Sequence, residues 1–439
     1  MKFKSDVVAL VFLAFSLAVA AFALGAASYH YNFFPHPQIA EAVQAGKDLL
    51  IRFDVRRAWY YFKTDQAQPA IIHDRDAMAP GLTLINGPVA DKKLAVRVVE
   101  NDGSVVHQWN LDWFKTWPDP KHVPEHMIPK IQPGANIQGV VLMDNGDIVF
   151  NFESLGLVRL NACSEIVWKL AFRTHHSVHL DETGNLWVAG KITETEKIKK
   201  YPNHQPPFEN TMLLEVSPDG RILRQIPVFD LLLQNGLQGL MYMSTLVNNT
   251  TVVGGDTLHL NDIETFPSTL APGTFERGDV MISLRNINAV LVFNLDSGRL
   301  KFMTIGRFLR QHDPDFIDGN TISIFDNNNL APESKGRYSR IITVTAPDDT
   351  LAIDFAGSDE FPFVTDVIGN HQRLPNGAML ISETRRGRAF EVDGAGKVVW
   401  EYFNLVEDNT LALINDAQRL APRFDQAFFK AAAGHCAGQ

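Results

Sequence analysis

Short apolar runs separated by turn residues fill most of the chain from Gly81 onward. The runs are rich in β-branched and aromatic residues, and Asp-Gly, Asn-Gly and Thr-Gly pairs interrupt them. This pattern is typical of strands joined by tight hairpins, and no long helical periodicity breaks it. The sequence therefore predicts an all-β fold over residues 80–425.

Two kinds of segment recur along this region in a fixed order. One closes a unit with a turn and a strand, as in "NDGSVVHQWNL" at Asn101 and "SPDGRILRQIPVF" at Ser217. The other opens a unit, as in "LMDNGDIVFNFE" at Leu142 and "LDETGNLWVAGK" at Leu180. A β-sandwich would also be all-β, but it would not repeat these two segments in order. Such repetition with several strands per unit is typical of a β-propeller.

Six units can be counted, so we predict a six-bladed β-propeller. They begin near Gly81, Gln138, His176, Leu240, His312 and His371. The segment "INDAQRLAPRF" at Ile414 is expected to return the chain to the first unit and help close the ring.

The first thirty residues have a different pattern. Lys2 and Lys4 precede an uncharged apolar run over residues 7–28. Such a run is long enough to cross a bilayer as a helix, whereas the apolar core of a cleaved signal peptide is usually shorter, about 7 to 15 residues. We therefore expect residues 1–30 to be a retained membrane anchor, with a signal peptide as the alternative. The lysines predict that the body lies on the exported side, periplasmic or extracellular.

Residues 31–79 are predicted to form a juxtamembrane helical linker. Apolar residues such as Ile39, Val43 and Leu50 and the aromatic group at 59–62 recur at roughly helical spacing. Two interpretations stay open: the helix packs on the body, or it lies on the lipid surface or against a membrane-protein partner.

The C-terminal residues 426–439 are predicted to be a flexible tail because small residues dominate them. Cys163 and Cys436 are the only cysteines, which excludes a disulfide-rich scaffold and a cysteine-rich metal site. A bridge between the two is an open alternative that the sequence does not support.

The net charge of −10 argues against a nucleic-acid partner, since phosphate binding needs clustered Lys and Arg. The remaining chemistry is in the histidines. Four stretches carry a histidine shortly before a turn and a strand, beginning at His175, His259, Gln311 and Gly369. His176 and His312 lie eight and seven residues before a turn glycine. In a propeller this shared register places such side chains around the central channel.

Several imidazoles at a channel mouth are able to bind a metal, form a structural network, or perform nucleophilic and acid-base chemistry. Metal-ligand spacing is not evident, so we predict no metal site. His371 is out of register and is expected to be structural.

The chain resembles the bacterial arylsulfate sulfotransferases over most of its body. The family's double-histidine, His-x-Asn, Ser-x-Arg and nucleophile segments resemble "HHSVHLDETGNL" at His175, "HLNDIE" at His259, "ISLRNINAVLVFNLDSGRL" at Ile282 and "RQHDPDFIDGNTISIFDN" at Arg310. The resemblance implies transfer of a sulfuryl group from an aryl sulfate to a phenolic acceptor, without a nucleotide donor or other cofactor.

The resemblance also implies roles for particular residues. His312 matches the nucleophile that forms a sulfohistidine intermediate. The groups that hold the sulfuryl oxygens become His259, Asn261 and Arg285. His176 becomes the partner of the phenolic leaving oxygen, with His175 as the competing assignment.

A second hypothesis is a non-catalytic propeller that serves as an accessory or scaffold subunit of a membrane complex. The apolar N-terminal helix favours it, whereas the joint presence of His312, His259, Asn261 and Arg285 favours the enzyme. Transfer of the sulfuryl group to water and a related propeller lyase are further alternatives.

Overall fold

The structure is a computed structural model that describes residues 2–31, 34, 35, 39, 60–243, 251–331, 334, 336–434 and 436. The chain divides into two compact units, residues 1–59 and 60–439. In the first unit, α1 (Lys2–Tyr31) contains an apolar stretch, Val7–Tyr29, that is long and apolar enough to cross a membrane. The prediction of an apolar N-terminal helix is confirmed, and the helix is suited to a signal anchor or a membrane anchor.

The second unit consists mainly of antiparallel β-sheets. It opens with two short strands, β1 (Tyr61–Lys63) and β2 (Ala70–Ile72). The first sheet then contains β3 (Thr83–Val89), β4 (Lys93–Val99) and β5 (Val105–Leu111). The second contains β6 (Ile137–Leu142), β7 (Ile148–Phe152), β8 (Gly156–Leu160) and β9 (Ile166–Leu170). The third contains β10 (Thr174–Leu180), β11 (Leu186–Glu194), β12 (His204–Val216), β13 (Ile222–Pro227) and the parallel strand β14 (Val253–Gly255).

Three further sheets follow. The fourth contains β15 (Leu260–Thr265), β16 (Asp279–Leu284), β17 (Ala289–Asn294) and β18 (Leu300–Ile305). The fifth contains β19 (His312–Phe316), β20 (Thr321–Asp326), β21 (Arg340–Thr345) and β22 (Thr350–Ala356). The sixth contains β23 (His371–Arg373), β24 (Met379–Glu383), β25 (Arg388–Val392) and β26 (Val398–Phe403). The last strands are β27 (Leu405–Glu407), β28 (Thr410–Ala412) and β29 (Asp416–Arg419).

Helices are short in this unit. The α-helices are α2 (Trp113–Thr116), α3 (Val228–Gln234) and α4 (Gln426–Ala433). The 3-10 turns are Ala90–Lys92, Glu125–Met127, Gln238–Tyr242, Arg285–Ile287 and Thr384–Arg386.

The C-terminal strand β29 completes the first sheet. It pairs with β3, with Ala417 opposite Ile85, so that the order becomes β29, β3, β4, β5. The expected return of the chain from Ile414 to the first sequence repeat, near Gly81, is thus present as a strand pairing within the first sheet.

Each pair of consecutive sheets encloses its own hydrophobic cluster. Phe150 and Phe152 of β7 pack toward the first sheet, while Val149 of the same strand packs toward the third. Successive side chains of a strand point to opposite faces, so a strand covered on both faces must be apolar throughout. The sixth cluster joins the sixth sheet, through Trp400, to Ile85 of the first.

We call the first strand of each sheet its lead strand: β29, β6, β10, β15, β19 and β23. β10 contacts β6 and β15, β15 contacts β19, and β29 contacts β23 and β6. Between β19 and β23, the Asp313 side chain accepts one hydrogen bond from the backbone N–H of His371. Neighbouring lead strands therefore contact one another in series.

The prediction of a helical linker is wrong for the described residues 60–79. β1 pairs with β28, and β2 pairs with β26 at the edge of the sixth sheet. Without β2, β26 would be an edge strand with unpaired backbone N–H and C=O groups, and Ala70–Ile72 forms hydrogen bonds with them. The linker residues 40–59 lie outside the described residues.

The prediction of a flexible tail is wrong for residues 426–433, which form α4. Asp425 caps this helix by accepting a hydrogen bond from the Phe428 N–H at 2.8 Å. Phe429 is buried, and its ring stacks on His107. Beyond the helix, Cys436 forms a disulfide with Cys163, which the sequence left unsupported.

Candidate active site

Irregular backbone at the lead strands positions the candidate residues. His176, His259 and Asp313 have positive φ values of 60°, 55° and 48°. The pairing register also shifts across His176 in β10, just after His259 in β15 and across Asp313 in β19. A bulge of this kind bends a strand and redirects the neighbouring side chains, and bulges are common next to active sites.

A glycine on β6 permits a close approach between the backbones of β6 and β10. Gly139 has a φ of 47°, and a Cβ atom there would overlap the carbonyl oxygen of His176. Beside it, the Gln138 side chain accepts a hydrogen bond from the His176 backbone N–H at 2.9 Å. β6 thus holds the backbone of His176 in its unusual conformation.

Three histidines predicted from the sequence are in contact. Nδ1 of His175 lies 2.7 Å from Nδ1 of His176, and Nε2 of His176 lies 3.3 Å from Nε2 of His259. Asp256 adjoins this series, with its Oδ2 2.5 Å from Nδ1 of His259. Burial lowers the pKa of all three imidazoles, and for His259 the hydrogen bond to Asp256 opposes that effect.

His312, the predicted nucleophile, is buried beside this group. Its ring centroid lies 6.0 Å from that of His176. Burial, with a further contribution from the Arg285 charge, lowers the pKa of His312 to about 3. The ring is therefore neutral at physiological pH, and a neutral imidazole has a nucleophilic lone pair.

The position of that lone pair follows from a neighbouring amide. Asn327 donates from Nδ2 to the carbonyl oxygens of Thr365 and Ile368, at 2.9 and 2.8 Å. Its Oδ1 must then be the acceptor that faces Nδ1 of His312 at 2.7 Å. The proton is on Nδ1, and Nε2 of His312 keeps its lone pair, buried and with no hydrogen-bond partner in the described structure.

Arg285 supplies a positive charge with no carboxylate partner in the described part of the chain. Its guanidinium donates a 3.5 Å hydrogen bond from Nη2 to Oδ1 of the adjacent Asn286, and its Nε is buried without a partner among the described residues. Burial lowers its pKa to about 10, so the guanidinium is still charged at neutral pH. An unpaired guanidinium beside neutral imidazoles is suited to an anion such as a sulfuryl group.

Asn261 joins the same cluster through the backbone. Its Nδ2 donates a 2.7 Å hydrogen bond to the carbonyl oxygen of Gln311, the residue before His312. Its Oδ1 has no partner among the described residues. Asn261, His176 and His312 line one cavity of about 30 Å³, so the structure brings the predicted site residues together.

A second, larger cavity of about 370 Å³ adjoins the first and is acidic. The carboxylates that line it are Asp262, Glu264, Asp313, Asp315 and Asp416. Burial and the neighbouring carboxylates raise the pKa of most of them well above its usual range.

One group in this cavity has spacing that a metal ion could use. Asp313, Asp315 and His371 present ligand atoms within 4.8 Å of one another. Both ring nitrogens of His371 already have partners, however: Asp313 at 2.9 Å and the hydroxyl of Ser323. His371 is therefore held in a hydrogen-bond network between β19, β20 and β23.

Asp416 should make stability depend on pH. Burial raises its pKa to about 7, whereas in the unfolded chain it titrates near 3.8. Its contribution is then fully present below pH 4 and is lost as the pH rises through 7. We expect the unfolding temperature of Asp416→Asn, measured relative to wild type, to be a few degrees higher at pH 8 than at pH 5. This change corresponds to roughly 2 kcal/mol in the free energy of unfolding. Thermal unfolding at both pH values measures this, and an offset that does not change with pH would contradict it.

The family model described as arylsulfotransferase (ASST) matches residues 139–404, more than half of the chain and all the predicted site residues. The chain belongs to the arylsulfotransferase family. The search of curated proteins found no significant match to this chain.

Among solved structures, this chain is similar to a protein of unknown function from Bacteroides caccae, with 13% identity and a TM-score of 0.46 over 77% of this chain and 98% of the other. A virginiamycin B lyase from Staphylococcus aureus has 10% identity and a TM-score of 0.37, over 81% and 99%. A streptogramin B lyase has 10% identity and a TM-score of 0.39, over 83% and 99%.

Two supporting residues of the candidate site, Asp256 and Asn327, were missed in the sequence analysis. Asp256 lies three residues before His259. An acidic residue so close to a candidate histidine is the sequence signal that indicates a partner for its ring. Asn327 belongs to the run "FDNNN" at Phe325, which is typical of a turn. Its contact with His312 arises because β19 and β20 pair with His312 opposite Phe325.

Proposed function

We propose that this protein transfers a sulfuryl group from an aryl sulfate to a phenolic acceptor, with His312 as the covalent carrier. The observation that carries the proposal is the state of His312. Its ring is neutral, and Asn327 fixes the proton on Nδ1. Among the described residues, Nε2 has no hydrogen-bond partner and the nearby Arg285 guanidinium has no carboxylate partner.

In the first half-reaction, the Nε2 lone pair of His312 forms the N–S bond while the S–O bond to the aryl group breaks. The leaving oxygen becomes a phenolate and takes a proton from the neighbouring imidazoles. In the second half-reaction, the acceptor oxygen forms a new S–O bond, the N–S bond breaks and the acceptor proton returns. Arg285 and Asn261 stabilise the charge on the sulfuryl oxygens, and His259 does so while it is protonated, before its Nε2 proton passes to the leaving phenolate.

We propose that the six sheets are the blades of a β-propeller over residues 80–425. Six hydrophobic clusters that each join two consecutive sheets support this arrangement, as does the completion of the first sheet by β29. The lead strands would then line the channel, with His175, His176, His259 and His312 at one level of it.

We also propose that the second unit is on the exported side of the membrane and that α1 is the anchor. The Cys163–Cys436 disulfide supports this, because disulfides persist in oxidising compartments. Lys2 and Lys4 before the apolar stretch support the same orientation.

The transfer reaction can be tested with purified full-length protein and 4-nitrophenyl sulfate, with and without phenol. We expect release of 4-nitrophenol that depends on phenol, together with formation of phenyl sulfate in equal amount. Release at the same rate without phenol would instead identify a hydrolase. No release from folded protein with several aryl sulfates would contradict the proposal and favour the non-catalytic alternative.

A further inference from the structure

Asp256 occupies a position that the family resemblance does not assign. It lies between β14 and β15 and accepts two hydrogen bonds from one residue, His259: the backbone N–H to Oδ1 at 3.0 Å and the ring at Oδ2. The turn that carries Arg285 holds this loop in place. Asn286 donates from Nδ2 to the Asp256 carbonyl oxygen at 2.7 Å, and the Arg285 N–H donates to the His259 carbonyl oxygen at 3.1 Å.

The carboxylate fixes the tautomer of the ring beside it. An ionised carboxylate only accepts hydrogen bonds, so the neutral His259 ring carries its proton on Nδ1. Its Nε2 is then an acceptor, and the 3.3 Å contact requires the proton on Nε2 of His176.

The same reasoning extends to the third ring. Nδ1 of His176 becomes an acceptor, so the 2.7 Å contact requires the proton on Nδ1 of His175. Nε2 of His175, which is buried without a partner among the described residues, is then a bare acceptor. One carboxylate therefore sets the direction of three imidazoles in series.

An additional proton in this series is most stable on His259, because among the described residues that ring alone of the three contacts a carboxylate. We propose that Asp256 is a positioning residue that stores this proton on His259 and directs it toward the leaving phenolate. This inference depends on the proposed function and deepens it.

The proton balance closes over one catalytic cycle. When the S–O bond to the aryl group breaks and the N–S bond to His312 forms, His259 gives its Nε2 proton to the phenolate, directly or through His176, and becomes neutral. When the acceptor oxygen attacks sulfur and the N–S bond breaks, the phenolic proton returns to His259. No other acid, base or oxidant is consumed.

Several charged or titratable groups lie around His259 and affect its pKa. They are Lys191, Arg173, Arg285, Glu153, His175, His176 and His312. Lys191 and Arg285 disfavour a second positive charge, so the Asp256 carboxylate is needed to keep an imidazolium at His259.

The test compares two donors that differ in how much they need a proton. Phenyl sulfate has a poor leaving group, whereas 4-nitrophenyl sulfate leaves readily as the anion. We expect Asp256→Asn to lower the transfer rate on the order of 10²-fold with phenyl sulfate and less than about tenfold with 4-nitrophenyl sulfate. The amide oxygen can still accept one of the two hydrogen bonds that the carboxylate accepts from His259, so the substitution removes the charge and one hydrogen bond. The basic limb of the pH profile should also move to lower pH, because His259 loses the group that favours its charged form.

Asp296→Asn is the matched control, since Asp296 is exposed in the turn between β17 and β18. It should leave both donors unaffected. Equal losses with both donors in Asp256→Asn would overturn the proposal for Asp256 while leaving sulfuryl transfer intact. A wild-type protein that transfers from neither donor would overturn the proposed function itself.

A measurement on the wild type covers the case in which Asp256→Asn fails to fold. The rate with phenyl sulfate should fall at high pH as the stored proton is lost, while the rate with 4-nitrophenyl sulfate should not. Coincident pH profiles for the two donors would overturn the role of Asp256.

Discussion

His312→Ala is expected to abolish sulfuryl transfer, with a fall in rate on the order of 10⁴-fold or more. The substitution removes the only atom proposed to bond to sulfur, Nε2. The Asn327 contact that prepares the ring loses its function at the same time. Acceptor-dependent release of 4-nitrophenol measures the rate, and mass spectrometry after incubation with donor alone should detect one added sulfuryl group on His312 of the wild type.

His126→Ala serves as the matched control, because His126 is exposed in the turn Glu125–Met127. It should transfer at the wild-type rate and still form the sulfuryl adduct on His312. Transfer by folded His312→Ala at more than a small fraction of the wild-type rate would show that another group is the carrier. An adduct on His176 or His259 would identify that group.

The sequence was a good guide to the repeated part of the fold. The turn and strand segments at Asn101, Leu142 and Leu180 correspond to hairpins of consecutive sheets. Such segments are local, and their alternation and turn glycines act through neighbouring residues. The histidine register has the same local basis, and it predicted that His176 and His312 lie near one another, as they do in the structure.

The elements that the sequence did not predict depend on contacts between distant residues. Ala70–Ile72 is a strand because the edge of β26 is available to it, not because of its own composition. Cys436 meets Cys163 only because α4 packs beside β5 through Phe429 and His107. Neither contact leaves a periodic signal along the chain.

The acidic cavity was missed for a similar reason. Its carboxylates come from three lead strands, and each one alone looks like an ordinary exposed aspartate or glutamate in the sequence. Only the convergence of β15, β19 and β29 places Asp262, Asp313 and Asp416 around one cavity. Burial in this cavity, together with the neighbouring Asp313 carboxylate, raises the pKa values of Asp262 and Asp416.

Arg285→Ala is expected to lower kcat/KM for an aryl sulfate on the order of 10² to 10³-fold. Arg285 is charged and has no carboxylate partner among the described residues, so its charge is available to the sulfuryl oxygens. Arg285→Lys should recover part of the loss, because it keeps the charge but not the two-pronged geometry. Inorganic sulfate should inhibit the wild type and should no longer inhibit Arg285→Ala.

The same substitution should change the pH profile in a defined direction. The Arg285 charge helps to hold the pKa of His312 low, so its removal raises that pKa, and the acidic limb of the rate moves toward higher pH. Arg299→Ala is the control, since Arg299 is an exposed arginine of the same sheet and should change neither rate nor profile. If Arg285→Ala keeps both the wild-type kcat/KM and the inhibition by sulfate, the sulfuryl group binds away from Arg285, and the unpaired guanidinium has another ligand.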